Sequence, residues 1–300
     1  MKTAAVSIPK TALMQRFSDY VQLTKPKIAI LVLFTVAAGF CMASAGRPDL
    51  ILLVHTLIGA GLLAAGASAL NQYYEIQIDG KMRRTAKRPL PTRRLRPIEA
   101  LLFGLGTGLL GLLYLWFVVQ KPLCVVVAAV TYASYVWVYT PLKKYTTLNT
   151  FIGAIPGALP PVIGWTAVTD SVDLRLVTLF GVLFLWQIPH FLSIAWLCRD
   201  EYRQAGLQMI PGKDPKGLST GVQMVLYCAG LLGVSFLPLF EIRIGLFEIL
   251  YVLAATLFGA IFLFTTIRFL ALPSDTTAKT VLRGSLLHLP VLMGFLAFIG

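Results

Sequence analysis

Long apolar segments run through almost the whole chain and leave few ways to fold it. Nine of them have the roughly 17–25 residues that are needed to cross about 30 Å of hydrocarbon. They are Ile28–Ala45, Leu50–Leu70, Ile98–Val119, Pro122–Tyr139, Leu148–Val168, Leu174–Cys198, Leu218–Phe240, Leu246–Leu270 and Arg283–Gly300. None alternates apolar with polar residues, as barrel strands do, and a helix satisfies its own backbone hydrogen bonds in lipid. The sequence therefore predicts an all-α, polytopic membrane bundle of nine transmembrane helices.

The composition agrees with this fold class. Apolar residues make up 57% of the 300 residues and charged residues only 13%, whereas soluble domains average about 45–50% and about 25%. The four cysteines lie in or at the ends of apolar segments and include no CxxC pair. The sequence predicts neither a disulfide framework nor a zinc site.

The basic residues predict the orientation of the bundle. The net charge is +13, and all but four of the 26 Lys and Arg residues fall in the N-terminal arm or in alternate connections on one side. The exceptions are Arg47, Lys121, Arg175 and Arg243. Because loops rich in Lys and Arg stay in the cytoplasm, we expect a multi-pass protein of the cell (inner) membrane with a cytoplasmic N-terminus. Residues 1–27 form a cytoplasmic arm, and residues 28–300 form a single membrane-embedded domain.

The polar stretch after the second apolar segment contains the first candidate site. Asn71, Glu75 and Asp79 are spaced four residues apart, which places them near one face of a helix. Polar groups near this depth are costly, so a functional role is favoured. Basic residues follow in the same loop, among them Lys81, Arg84 and Arg88. Oxygen ligands beside cations suit a magnesium-bridged phosphate, which predicts chemistry on a phosphorylated lipid.

Three other groups of polar residues are further candidates. Asp200 and Glu201 follow the sixth segment on the same predicted side, although charged loops beside membrane helices are usually only solvated. Tyr139 and Lys143 close the fourth segment, where ordinary interfacial anchoring is the alternative. His190 lies within the sixth segment, and a lone intramembrane histidine more often bonds a neighbour than ligates haem iron.

In the fifth segment, the Pro160-Pro161 pair is expected to break or kink the helix.

Several motifs taken together resemble one known family. They are Thr24-Lys25-Pro26-Lys27, Asp79-Gly80-Lys81-Met82-Arg83-Arg84-Thr85, Arg88-Pro89-Leu90-Pro91, Tyr139-Thr140 before Lys143-Lys144, Gly157-Ala158-Leu159-Pro160-Pro161-Val162-Ile163-Gly164-Trp165, Trp186-Gln187-Ile188-Pro189-His190, Asp200-Glu201-Tyr202-Arg203-Gln204-Ala205-Gly206 and Met209-Ile210-Pro211. The run from Asn71 to Pro91 resembles the first Asp-rich signature of the membrane-embedded, UbiA-type prenyltransferases. The whole combination resembles their protohaem IX farnesyltransferase (haem O synthase) branch. Two positions depart from the family pattern: Glu75 replaces its first Asp, and Gln77 replaces an Asp of some relatives.

The resemblance implies a role for each candidate residue. Catalytic residues would be Asn71, Glu75, Asp79, Asp200 and Glu201. Of these, Glu75, Asp79 and Asp200 or Glu201 would hold Mg²⁺, while Asn71 would orient the diphosphate. Substrate-binding residues would be Lys81, Arg84, Arg88, Tyr139, Lys143 and His190.

The resemblance also implies an activity and its partners. It implies transfer of farnesyl from farnesyl diphosphate to a vinyl group of protohaem IX in a central cavity open to the cytoplasm. Diphosphate is released, and water enters after attack by the vinyl group to give the hydroxyethylfarnesyl group of haem O. Membrane lipid surrounds the protein, and association with haem A synthase or terminal oxidase assembly is expected. Alternatives are a prenyltransferase for a quinone or aromatic precursor, an ion-coupled transporter, and a non-catalytic haem-binding assembly protein. All thirteen acidic residues lie at or beyond helix ends, whereas a transporter predicts a carboxylate at the midplane.

Overall fold

The computed structural model describes residues 10–240 and 245–296, and no strand occurs among them. Its helices are α1 (Lys10–Leu23), α2 (Pro26–Ala43), α3 (Leu50–Tyr74), α4 (Ile76–Asp79), α5 (Pro97–Tyr114), α6 (Pro122–Ala133), α7 (Thr140–Leu142), α8 (Asn149–Ala158), α9 (Pro160–Val168), α10 (Leu174–Leu197), α11 (Arg199–Gln204), α12 (Ile210–Lys213), α13 (Leu218–Val234), α14 (Leu246–Ala271) and α15 (Asp275–Leu296). Two π-helical stretches, Leu115–Val119 and Ser134–Tyr139, extend α5 and α6, and a 3-10 turn, Leu237–Phe240, follows α13. The all-α prediction is confirmed.

Eight helical segments within the described residues are long and apolar enough to cross a membrane. They are Pro26–Ala43, Leu50–Tyr74, Pro97–Val119, Pro122–Leu142, Asn149–Val168, Leu174–Leu197, Leu218–Leu239 and Leu246–Ala271. These segments correspond to the first eight predicted spans, so the chain is a multi-pass membrane protein.

The prediction of nine spans is one too many by the same criterion. The ninth predicted segment, Arg283–Gly300, lies on a helix that already begins at Asp275. The first half of this helix carries Asp275, Lys279 and Arg283, which lowers its mean hydropathy. Residues 297–300 lie outside the described residues, as does Arg243. Helix α15 still packs along α14 and α10, so it belongs to the bundle.

Helix ends and close contacts explain how the bundle is assembled. The Asp49 and Asp173 side chains accept hydrogen bonds from the first backbone amides of α3 and α10, which is the usual role of an N-cap carboxylate. The fifth predicted span is divided into α8 and α9 at Leu159, so the expected break at the proline pair is confirmed. A Cβ on Gly164 would lie 1.9 Å from the carbonyl oxygen of Val36. Only glycine permits this approach of α9 to α2.

Three polar connections meet at one end of the bundle. An apolar cluster joins the α4 region to the segment around α11; it contains Ile78, Met82, Ala195, Ala205, Leu207 and Met209. The backbone amide of Gln208 donates to the carbonyl oxygen of Lys143 at 2.8 Å. Asn149 Nδ2 donates to the carbonyl oxygen of Gln208 at 2.6 Å. Both predicted acidic clusters therefore lie at the same end of the bundle.

Candidate functional site

The C-terminal end of α3 holds the first predicted cluster in a buried position. Asn71 is 1% exposed, Glu75 7% and Asp79 1%. The Glu75 amide donates to the Asn71 carbonyl at 3.0 Å, and the Asp79 amide donates to the Glu75 carbonyl at 2.7 Å. Helical spacing thus continues from α3 into α4 and keeps the three side chains on one side, as the sequence predicts.

Each of these three side chains meets a cation from another part of the chain. Lys143 Nζ lies 2.7 Å from Glu75 Oε1, and Arg88 Nη1 lies 2.7 Å from Asp79 Oδ2. Lys25 Nζ donates to Asn71 Oδ1 at 2.6 Å. These six residues come from segments far apart in sequence, and we call them the polar centre: Lys25, Asn71, Glu75, Asp79, Arg88 and Lys143.

Lys25 is a member of the polar centre that sequence reasoning missed. Its backbone is in the left-handed region, with φ 50°, which is uncommon for a residue other than glycine. Burial, and after it the nearby positive charge of Arg88, lowers the pKa of Lys25 to about 7. A signal was present, because Lys25 belongs to one of the family-like motifs, but a lysine before a membrane span is ordinarily interpreted as an interfacial anchor.

The two central carboxylates have pKa values shifted in opposite directions. Burial acts to raise the pKa of Glu75, but the charge and hydrogen bond of Lys143 bring it below its ordinary value. Burial raises the pKa of Asp79, and the nearby Arg88 guanidinium only partly opposes this. Asp79 Oδ1 is buried and has no hydrogen-bond partner. This unpartnered oxygen, beside the Glu75 carboxylate, has the chemistry of a divalent-cation ligand.

The other predicted cations and Tyr139 surround this centre. The Tyr139 ring lies under Lys143 Nζ, with 4.5 Å between the nitrogen and the ring centroid. Lys81 and Arg84 are exposed in the loop after α4. The Arg84 guanidinium donates to the Tyr202 hydroxyl at 3.5 Å. Lys143 and Arg88 contact the carboxylates directly, whereas the Lys81 and Arg84 side chains are exposed to solvent.

The second acidic cluster is near the polar centre but does not join it. Asp200 Oδ1 lies 2.8 Å from Arg203 Nη2, and both side chains are mostly exposed. Within residues 10–240 and 245–296, no group of three or more His, Cys, Asp and Glu side chains is close enough to hold a metal ion. A shared metal site that includes Asp200 or Glu201 therefore stays a prediction.

His190 makes the neighbour contacts that are common for an intramembrane histidine. His190 Nδ1 and Ser285 Oγ share a hydrogen bond of 2.8 Å, and the His190 ring stacks on Trp186 with centroids 4.7 Å apart. Trp186 Nε1 donates to the Ser285 carbonyl at 2.8 Å. This network joins α10 to α15. A contact between His190 and the substrate stays a prediction.

A cavity of about 600 Å³ lies between α8, α10, α12 and α13. Its lining includes the apolar and aromatic residues Phe151, Ile188 and Tyr227 and the charged residues Lys213 and Asp214. None of the six residues of the polar centre lines it. The cavity is therefore separate from the carboxylates.

Sequence comparison identifies the family to which this arrangement belongs. The model of the UbiA prenyltransferase family matches residues 32–298. The chain belongs to the UbiA prenyltransferase family. In this UbiA chain, Asn71, Glu75 and Asp79 are the residues spaced four apart that resemble the Asp-rich signature described above.

Two curated relatives cover nearly the whole chain. The protoheme IX farnesyltransferase of Solibacter usitatus (strain Ellin6076) is 42% identical over 290 residues, covering 93% of this chain and 97% of its own length. The protoheme IX farnesyltransferase of Koribacter versatilis (strain Ellin345) is 36% identical over 305 residues, covering 97% and 96%.

Solved structures share the UbiA fold with this chain. A digeranylgeranylglyceryl phosphate synthase has a TM-score of 0.80 at 18% identity, covering 94% of this chain and 98% of its own. A UbiA homolog from Archaeoglobus fulgidus bound to GPP and Mg2+ has a TM-score of 0.65 at 15% identity, covering 93% and 99%. At these identities the likeness concerns the fold.

Proposed function

We propose that this chain transfers the farnesyl group of farnesyl diphosphate to a vinyl group of protohaem IX. Diphosphate leaves as the new C–C bond forms, and water then adds to the resulting carbocation and loses a proton, which gives the hydroxyethylfarnesyl group of haem O. The observation that carries this proposal is the 42% identity to a protoheme IX farnesyltransferase over 93% of the chain. The polar centre supports the donor half of the reaction, because it places carboxylates and cations together at the end of an apolar bundle.

We infer that Glu75 and Asp79 hold Mg²⁺ when the donor is bound. The unpartnered Asp79 Oδ1 fits this role, and a fold relative was solved with GPP and Mg2+. Asp200 or Glu201 would complete the ligand set. Bound Mg²⁺ would offset the charge that develops on the diphosphate as the allylic C–O bond breaks.

Cations of the polar centre are suited to bind the diphosphate. Arg88 and Lys143 neutralise carboxylates in the structure. Both side chains would be free to face phosphate oxygens if Glu75 and Asp79 held Mg²⁺ instead. Charge-assisted hydrogen bonds of this kind are among the stronger ones. Asn71 is held between Lys25 and Thr140 and would orient the head group. The apolar tail would lie among the helices, where exclusion of water protects the allylic cation.

The proposal also includes the cellular location of the enzyme and the use of its product. We infer from the positive-inside rule that the polar loops lie on the cytoplasmic side of the cell inner membrane. The haem O product suits an enzyme that modifies haem further or an oxidase that incorporates it. Association with haem A synthase or terminal oxidase assembly is part of the proposal.

An acceptor competition tests the proposed substrate. Purified protein in nanodiscs would receive farnesyl diphosphate, Mg²⁺ and equal amounts of protohaem IX and 4-hydroxybenzoate, and the products would be identified by mass. We expect farnesylation of the haem alone. Farnesylation of the aromatic acid alone would establish the quinone-precursor alternative. Absence of both products from folded protein would contradict the proposal.

Lys25→Ala should lower kcat/KM for farnesyl diphosphate by roughly 10- to 100-fold, because a charge-assisted hydrogen bond contributes about 1.5–3 kcal/mol. Lys27→Ala is the matched control, since Lys27 is exposed two residues away. Steady-state kinetics at equal protein levels make the measurement. Equal losses in the two variants would exclude a specific role for Lys25.

Glu75→Asp should be tolerated, with activity within about threefold of the original, or less than 1 kcal/mol in the barrier. The family resemblance implies that aspartate is the usual residue at this position, and the flexible Lys143 side chain can follow the shorter carboxylate. The assay is haem O formation at matched abundance. A tenfold loss would mean that the site has adapted to glutamate.

Labelling of cysteines placed at Gly80 and Gly212 tests the topology. A Cβ at Gly80 has only ordinary contacts, and at Gly212 it has open space, so both positions accept cysteine. In a background without the four native cysteines, both should resist an impermeant thiol reagent in intact cells and react after the membrane is opened. Labelling from opposite faces would disprove a shared site.

A further inference from the structure

Helix α1 has three distinct faces. Leu13, Met14, Phe17 and Val21 fall within an arc of roughly 100° at 3.6 residues per turn. They are 63%, 73%, 72% and 38% exposed, respectively. Gln15, Ser18 and Gln22 form a separate polar arc. The remaining arc faces the bundle. Four large apolar side chains thus lie on one exposed stripe, which we call the α1 stripe.

The inward face of α1 is firmly docked. Asp19 is 2% exposed and lies 2.7 Å from Arg94 Nη1. Leu23 is fully buried, and its carbonyl accepts a hydrogen bond of 2.9 Å from Gln72 Nε2. The Tyr20 ring lies 5.3 Å from the Phe103 ring. These contacts fix the rotation of α1, so the exposure of its apolar stripe is a property of the fold.

The docking partners place α1 at the edge of the membrane. Gln72 lies at the end of the span Leu50–Tyr74, and Phe103 lies near the start of the span Pro97–Val119. The first span, Pro26–Ala43, begins three residues after α1 ends. Its outward side chains Ile28 and Leu31 are 55% and 66% exposed. The α1 stripe therefore lies next along the chain to side chains that face lipid.

We propose that α1 is an interfacial helix whose apolar stripe inserts into the lipid leaflet on the side of the polar centre. An amphipathic helix of this kind lies in the membrane plane with its apolar face about 5–10 Å into the boundary between head groups and acyl chains. Exposed cations of the adjoining loop, including Lys81 and Lys87, suit anionic head groups. The inserted helix clamps the end of α3 through Gln72, so lipid contact supports the segment that carries Asn71.

Depth-dependent quenching tests this proposal on the full-length protein. An environment-sensitive probe would be attached to Phe17→Cys, in the background without native cysteines, in nanodiscs of phosphatidylcholine and phosphatidylglycerol. Gln15→Cys is the matched control on the polar arc. We expect lipids with a shallow quencher to quench the Phe17 probe several-fold more than the Gln15 probe. Iodide in the water should show the reverse order. Quenching of both positions by iodide alone would overturn the proposal.

Photocrosslinking gives a second measurement that needs no cysteine removal. The photoreactive p-benzoylphenylalanine at position 17 closely follows the shape of the native side chain. We expect irradiation in nanodiscs to give an adduct with the mass of one lipid, and the same group at Gln15 to give far less. Crosslinking to a second copy of the chain, or to another protein in native membranes, would show that protein covers the stripe and would overturn the assignment.

Discussion

Replacement of Asp79 by asparagine should reduce haem O formation by roughly 100- to 1,000-fold, the usual cost of removing a group that stabilises developing charge. Asp79 is 1% exposed, one oxygen is paired with Arg88, and the other has no partner. Asparagine keeps the size of the side chain and an oxygen that can accept from Arg88. Because the Arg88 side chain is 27% exposed, solvent can offset its charge, so the protein should remain inserted and folded. The measurement is product formation at matched membrane levels.

Asp170→Asn provides the control for loss of a carboxylate. Asp170 is 52% exposed and lies 3.8 Å from Lys121 in a connection outside the polar centre. Its replacement should leave activity and abundance unchanged. If Asp79→Asn retains the activity of Asp170→Asn, Asp79 does not hold the metal.

Replacement of Lys143 by methionine should destabilise the protein by about 3–5 kcal/mol, since removal of one partner from a buried ion pair leaves the other charge uncompensated. The Lys143 and Glu75 side chains are 13% and 10% exposed and 2.7 Å apart. The measurement is the fraction of protein that stays monodisperse in detergent on heating. Lys144→Met is the control, because Lys144 is an exposed neighbour.

A double variant separates folding from function. Adding Glu75→Gln to Lys143→Met removes the uncompensated carboxylate and should restore most of the stability. Activity should stay low, because the proposed metal ligand and the diphosphate cation are both absent. Restored activity would contradict the roles given to this pair.

The sequence predicted features that depend on local pattern. Eight spans followed from segment length and hydropathy, and the buried face of Asn71, Glu75 and Asp79 followed from a spacing of four residues. The ninth span was wrong by the hydropathy criterion because the helix extends back to Asp275 and includes charged residues. The length of an apolar segment indicates where the chain can cross lipid. It does not determine where a helix ends when that helix also packs on neighbouring helices.

The sequence could not predict contacts between distant segments. Lys25 reaches Asn71 across 46 positions, and Lys143 reaches Glu75 across 68. Asp200 instead pairs with Arg203 in its own helix. A carboxylate near several cations has competing partners, and backbone geometry decides among them. The sequence likewise did not predict the exposed α1 stripe, because exposure of these side chains depends on which face of α1 packs against the bundle.

The central claim is tested most directly by incubating purified protein with protohaem IX and farnesyl diphosphate and identifying the extracted haems by mass. With Mg²⁺, the wild-type protein should convert protohaem to haem O, and chelation with EDTA should stop conversion until excess Mg²⁺ is restored. Asp79→Asn should give almost no haem O under the same conditions, whereas Asp170→Asn should match the wild type. Equal haem O formation by Asp79→Asn and the wild type would contradict catalysis at the polar centre.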